Sequence, residues 1–200
     1  MRLYLVRHGQ TLANLERRYL GSLDPELTEV GREQAVALRM ELPTEIDCIV
    51  VSPLKRARQT AAIIGYRNDL PLQVVDAFRE RNVGVFEGLT QAEAQERYPE
   101  LWRQNITRHW DIGPPGGEPI VDVVQRIHQG LIEVMGSPKS KHLLLVAHGF
   151  VAKVVRALVL RNFSDFYDWQ LGNGQWLVLE DVERVLDYSV PARDPLPRSQ

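Results

Sequence analysis

Four short apolar runs recur along the chain, at residues 3–6 (Leu-Tyr-Leu-Val), 48–51 (Cys-Ile-Val-Val), 72–75 (Leu-Gln-Val-Val) and 143–146 (Leu-Leu-Leu-Val). Each is too short for a helix and bounded by polar or turn-forming residues; residues 3–6, 48–51 and 143–146 have the pattern of buried strands, and residues 72–75 read as a further short strand. Between them, apolar positions fall three and four apart. Ala35, Leu38 and Leu42 share one helical face, Val121, Val124, Ile127, Leu131 and Met135 a second, and Val154, Val155 and Leu158 a third. Strands alternating with helices predict an α/β protein, a three-layer α/β/α sandwich around a mainly parallel central sheet. Residues 176–180 and 184–188 read as two further strands closing the sheet's edge.

Capping signals place the helix starts. Thr28 before Glu29 opens one helix, which Pro43 ends. Ser52 and Pro53 read as N-cap and first residue of the next. Thr90-Gln91-Ala92-Glu93 is a capping box whose helix breaks at Pro99, and Trp102, Ile106 and Trp110 follow at helical spacing. Residues 9–25 and 113–119 read as loops, the first long enough to suggest a function. A single domain over residues 1–190 is expected, with an inserted lid at about 77–118 and a flexible tail over 191–200.

Composition narrows the function classes. A net charge of -2 offers no global basic field for a polyanion, so nucleic acid is not an expected partner. No stretch approaches eighteen apolar residues and no leader is visible, so no membrane is expected and cytoplasmic is the default. The one cysteine, Cys48, excludes an internal disulfide framework and reads as a small core residue. Monomer and homodimer both stay open.

The chemistry concentrates where two apolar runs stop. Residues 3–6 end at Arg7-His8-Gly9, and residues 143–146 end at Ala147-His148-Gly149. In an open α/β sheet, residues past the carboxyl ends of strands face the ligand crevice. An arginine and a histidine there suit an anion and a nucleophile. A helix beginning near Ser52 would bring free amides and Arg56, in its first turns, to the same region, although Lys55, Arg56 and Arg58 read equally as a solvated helix face. The five histidines show no metal-site spacing and there is no cysteine pair, so no metal and no cofactor are expected. His109, His128 and His142 read as surface or partly buried fillers.

Taken together, Arg7-His8-Gly9-Gln10-Thr11, residues 52–61 (Ser-Pro-Leu-Lys-Arg-Ala-Arg-Gln-Thr-Ala), Arg79-Glu80-Arg81 and the late His148-Gly149 resemble the histidine phosphatase superfamily. The branch is the one containing cofactor-dependent phosphoglycerate mutase. The four motifs come in the family's order and the resemblance runs from Arg2 to about Leu160. It implies phosphorylation of His8, with Arg7, Arg56 and His148 around the phosphoryl oxygens and Glu80 as the proton donor and later base. It also implies that Asn14 contacts phosphate and that backbone amides at Gly21 and Gly149 approach the ligand. The arginines' field would lower the pKa of His8 and keep it neutral for attack. The expected activity is metal-independent hydrolysis of a small-molecule phosphate ester. Phosphoglycerate mutase is the alternative, although the paired arginines of the family's mutases are missing from the insertion; a non-catalytic phosphate-binding module is less favoured still. Arg17 and Arg18 read either as contacts for a second anionic group or as a solvated loop. Phe86, Trp102, Trp110 and Phe150 read either as an aromatic wall or as core.

Overall fold

The structure, a computed structural model, describes residues 1–65, 70–136 and 141–195. Of the expected tail, residues 196–200 lie outside the described residues. In chain order the strands are β1 (Arg2–Arg7), β2 (Cys48–Val51), β3 (Leu72–Val74), β4 (His142–Ala147) and β5 (Trp176–Leu179). They form one sheet in the order β3-β2-β4-β1-β5, parallel except for β5, which runs antiparallel to β1. The helices are α1 (Leu12–Leu15), α2 (Glu29–Glu41), α3 (Lys55–Gly65), α4 (Gln91–Arg97), α5 (Pro99–Arg103), α6 (Ile120–Met135) and α7 (Gly149–Leu160).

The apolar runs of β1, β2 and β4 make sense because both sheet faces are covered there, whereas β3, at the sheet's edge, leaves Leu72 and Val74 exposed. Leu3, Leu5, Val50, Leu143 and Leu145 pack with α6 and α7. Tyr4, Val6, Ile49, Val51, Leu144 and Val146 point the other way, onto α2 and α3. Successive side chains thus enter opposite cores, each fully buried aliphatic side chain contributing about 1.5–3 kcal/mol. The expected three layers follow. Cys48 is half-buried and packs against the first of these cores.

The parallel register has the greatest consequence for the site. Arg7 pairs with Ala147 across β1 and β4, so both chains leave the sheet at the same level. The ladder continues for one bond more, from the His8 amide to the Ala147 carbonyl at 3.0 Å.

Four expectations need correction. Residues 184–188 are not a strand: Asp181 turns the chain at φ 53°, and Val182–Val185 is a 3-10 turn. Its Val182 and Val185 are both fully buried, and a spacing of three residues suits one helical face rather than alternation. Within 9–25 lies α1, with a reciprocal capping box between Thr11 and Asn14. An asparagine in place of the usual Glu or Gln hides that motif. Helix α3 begins at Lys55, later than Ser52 and Pro53 suggest. The Ser52 hydroxyl accepts from the Leu54 amide at 3.3 Å and also lies 2.6 Å from His148 Nε2, while Asp24 Oδ1 accepts from the Lys55 amide at 2.7 Å. Finally, Trp102, Ile106 and Trp110 do not share one helix, because Asn105 at φ 52° separates α5 from the 3-10 turn Ile106–Arg108. The starts at Thr28 and Thr90 are as expected, each side chain accepting from the amide three residues on.

Residues 77–118 carry their own small apolar cluster, Phe86, Leu89, Ala94 and Ile106. Polar ties join the segment to α6. Arg126 donates to the carbonyls of Ala77, Arg79 and Glu80 at 2.7, 2.9 and 3.3 Å. It also forks onto both oxygens of Glu118 at 2.9 and 3.0 Å. Burial pushes the Glu118 carboxyl up, but hydrogen bonds from Arg126 and the Asn82 amide bring it below its ordinary value.

Candidate active site

His8 is buried at the end of β1, and two contacts define its tautomer. Nδ1 lies 2.7 Å from the Gly9 carbonyl, which can only accept, so Nδ1 carries the proton. Nε2 then holds the lone pair, and Arg56 Nε donates to it at 3.3 Å. Burial is the largest influence holding the imidazole well below its ordinary pKa, and the charges of Arg56 and Arg7 act the same way. A neutral ring with its lone pair on Nε2 is what nucleophilic attack on phosphorus requires, and the Arg56 N–H that now meets that lone pair is placed to turn onto an incoming phosphoryl oxygen. Gly9 has a packing role. A Cβ there would lie 2.2 Å from the Gly31 carbonyl oxygen, so the glycine lets the chain after His8 rest on α2.

Arg56, in the first turn of α3, is fully buried. Besides His8 it donates to the carbonyls of Leu23 at 2.6 Å and Gly21 at 3.1 Å. Gly21 sits at φ 50°, and a Cβ on it would strike Glu87. What this glycine contributes in the structure is therefore a carbonyl to hold Arg56. Arg7 Nη1 donates to the Leu171 carbonyl at 2.7 Å, while its buried Nε has no partner among the described residues.

His148, past the end of β4, meets His8 edge to face with ring centroids 5.1 Å apart. Its Nε2 is 2.6 Å from the Ser52 hydroxyl. Burial first, then Arg56, holds it well below its ordinary pKa as well.

Glu80 approaches from residues 77–118. Its Oε1 accepts from the Arg81 amide at 2.9 Å and its Oε2 from the Phe150 amide, in the first turn of α7, at 3.2 Å. Both oxygens are thus aimed by backbone groups.

These groups surround a cavity of about 330 Å³. Arg7, His8, Asn14, Gly21, Glu80 and Gly149 line it; Arg56 and His148 are fully buried and reach it through their contacts with His8. All eight sequence-predicted residues therefore converge. The far wall adds Thr107, Arg108, Lys153 and Tyr167, which no motif singled out, and Arg81, which the Arg-Glu-Arg motif contains without a role assigned to it. Arg81 is buried, donates to the Glu118 and Thr107 carbonyls, and lies over the Phe150 ring at 5.0 Å. Burial lowers its guanidinium to about 10, against the pull of Glu118. Burial and then Arg108 also lower Lys153. Arg18 lines the cavity too and bonds Glu16 and Glu93, both at 2.6 Å, so it is neither free nor merely solvated.

Of the four aromatic candidates, Phe150 alone lines this cavity; Trp110 packs in the core against Phe163 and Phe166, and Phe86 is in the small cluster of the inserted segment. His109 and His128 bind the carbonyls of Gln104 and Val185, and His142 stacks on Tyr4, all apart from the site. Among the described residues, no three His, Cys, Asp or Glu side chains cluster so as to hold a metal ion. Among them too, no helix is long and apolar enough to cross a membrane.

Two parallel strands deliver Arg7, His8 and His148, and α3 delivers Arg56, to one cavity opposite the Glu80 carboxylate, an arrangement suited to phosphoryl transfer. The chain belongs to the histidine phosphatase superfamily (branch 1), whose family model matches residues 3–185. It is an enzyme of that family. It is 34% identical over 194 residues to glucosyl-3-phosphoglycerate phosphatase of Mycobacterium tuberculosis, covering 89% of this chain and 84% of that protein. It is also 39% identical over 161 residues to a bifunctional protein of the same organism, but there 80% of this chain spans only 44% of the relative. Among solved structures, the α-ribazole phosphatase of Shigella flexneri superposes with a TM-score of 0.80 at 25% identity, covering 89% of each chain.

Proposed function

We propose that this protein hydrolyses a small phosphate monoester through a phosphohistidine on His8, without a metal ion. The observation that carries the proposal is the His8 tautomer. With Nδ1 bonded to the Gly9 carbonyl, the Nε2 lone pair lies beside Arg56 and in the same cavity as Glu80. Nε2 attacks phosphorus while Arg7 and Arg56 stabilise charge on the equatorial oxygens. Glu80 protonates the departing alkoxide, then draws a proton from the water that attacks phosphohistidine. His148 donates to a phosphoryl oxygen, and Asn14 and the Gly149 amide complete the seat. Residues 77–118, which bring in Glu80, Arg81, Thr107 and Arg108, serve as the cover over a single domain.

The same wall supports a finer reading of the substrate. Lys153, Arg81 and Arg108 face the space beyond the phosphoryl seat. Among the described residues Lys153 and Arg108 have no ion pair, so the ester is read as carrying a second anion such as a carboxylate. The name of the mycobacterial relative, a phosphoglycerate derivative's phosphatase, fits that chemistry. Transfer within a bisphosphorylated intermediate, as in a mutase, would use the same wall and is distinguished by assaying 3-phosphoglycerate with and without bisphosphoglycerate.

Rapid quench of the wild-type protein during turnover should trap an acid-labile, base-stable phosphate. His8→Ala should abolish the trapped species and slow turnover at least about a thousandfold, both in the presence of EDTA. An intact rate in the alanine variant, or activity that EDTA abolishes and a divalent ion restores, would overturn this reading.

A further inference from the structure

Nothing in the sequence Gly172-Asn173-Gly174-Gln175 marks it as part of a site, yet this turn is wired to the end of β1. Gly174 N points at the carbonyls of Arg7 and His8, both at 3.2 Å, and the Arg7 amide donates to the Gln175 carbonyl at 3.1 Å. The Asn173 side chain goes further. Its Nδ2 donates to the His8 carbonyl at 3.1 Å and to Asn14 Oδ1 at 3.1 Å, across 165 and 159 residues.

Backbone partners settle both amide orientations. A carbonyl only accepts, so the Asn173 atom facing His8 O is nitrogen. The Thr11 amide only donates, so the Asn14 atom facing it at 3.1 Å is oxygen. Asn14 Oδ1 also takes the Thr11 hydroxyl, at 3.0 Å. With its oxygen engaged by three donors, Asn14 has Nδ2 left for the cavity it lines.

The capping box decides which way the carboxamide faces within α1, but α1 is four residues long and buries none of its side chains. So short a helix has little stability of its own, and its placement depends on what ties it down. Among the described residues, Asn173 is the side chain that joins Asn14 directly to His8.

We propose that Asn173 is a positioning residue. By bridging the His8 carbonyl and the Asn14 carboxamide oxygen, it fixes the reach from Asn14 Nδ2 to the His8 imidazole, and so the seat of the phosphoryl group. The inference rests on the phosphoryl-site reading above. If Asn173 is truncated, His8 O still has Gly174 N, so the loss falls on Asn14.

The test is a double-mutant cycle on Asn173→Leu and Asn14→Ala. Two readouts are used: calorimetric affinity for inorganic phosphate, and kcat/KM on p-nitrophenyl phosphate. Asn14→Ala should weaken phosphate binding about tenfold, and Asn173→Leu should come within about threefold of that. The double variant should be no worse than Asn14→Ala alone, because Asn173 acts through Asn14. Asn173→Ser, too short to span both acceptors, is read by the same cycle if the leucine variant does not fold. Penalties that multiply in the double variant, or wild-type phosphate affinity in Asn173→Leu, overturn the proposal. Wild-type protein that binds no phosphate and hydrolyses no ester overturns the phosphoryl-site reading and this inference with it. Binding and turnover with multiplying penalties overturn this inference alone.

Discussion

The two walls of the cavity are built by different physics. On one side, His8 and His148 leave adjacent parallel strands, and Arg56 leaves the helix after a third. All three are buried and backed by the sheet's apolar layers; His8 and Arg56 are bonded to backbone and to one another, and His148 to the Ser52 hydroxyl. On the other side, Glu80, Arg81, Thr107 and Arg108 come from a segment of 3-10 turns and short helices. That segment is joined to the body through Arg126, Glu118 and the carbonyls of Ala77, Arg79 and Glu80. Chemistry that depends on a neutral, oriented imidazole and fixed positive charge sits on the rigid wall, where displacement would disturb a packed core. Proton donation and, apart from Lys153 on α7, substrate recognition sit on the wall held by polar ties, which can differ without disturbing the sheet.

The sharpest way to separate the walls is to vary the leaving group. Glu80→Gln should slow phosphorylation of His8 by about 10²–10⁴-fold for alkyl esters. For p-nitrophenyl phosphate, whose leaving group scarcely needs a proton, the loss should stay below about tenfold. Single-turnover measurements of the phosphorylation step check this, and equal losses for both esters would remove Glu80 from the role.

Acid should strike the rigid wall first. His8 and His148 are fully buried, with folded pKa values well below 6.5. Below pH 6.5 the unfolded chain therefore binds protons that the folded chain refuses. Stability from these residues is complete above about pH 6.5 and falls as pH drops, by up to about 1.4 kcal/mol per pH unit for each imidazole. Guanidinium unfolding at pH 7.5 and 5.5 reads this directly. The His8→Asn, His148→Asn double variant should show a flatter dependence, and an unchanged slope would contradict the assignment.

Arg126→Met removes five of the hydrogen bonds that hold the other wall. It should cost about 2–3 kcal/mol of stability and lower kcat, while affinity for inorganic phosphate stays within about threefold of wild type. A matching loss of phosphate affinity would mean that the walls are not separable. The smallest effect is expected at Lys153. Lys153→Met should raise KM about tenfold for an ester bearing a carboxylate and leave p-nitrophenyl phosphate nearly unchanged, so equal changes would discount the second-anion reading.

The rigid wall was legible because its signals are local. An apolar run of four followed by Arg7-His8 or Ala147-His148 encodes a strand and what stands at its end within a few residues. Parallel pairing then needs only the ordinary rules of α/β sheets. Asn14 and Glu80 came from motif resemblance, with no local physical signal to mark them. Helix α1 was hidden because its capping partner is asparagine, and the start of α3 was misplaced because Ser52 takes only the Leu54 amide and also meets His148, while the Lys55 amide is capped by Asp24 from a distant part of the chain. Asn173, Arg126 and Lys153 carried no sequence signal at all. Their roles consist of single hydrogen bonds and charges facing residues far away in the chain, such as Asn173 with His8 across 165 positions. Hydrophobic periodicity records which side of an element is buried, so it determined the layers and the strand ends. It holds no record of which polar groups meet across a cavity, and tertiary packing alone decided that.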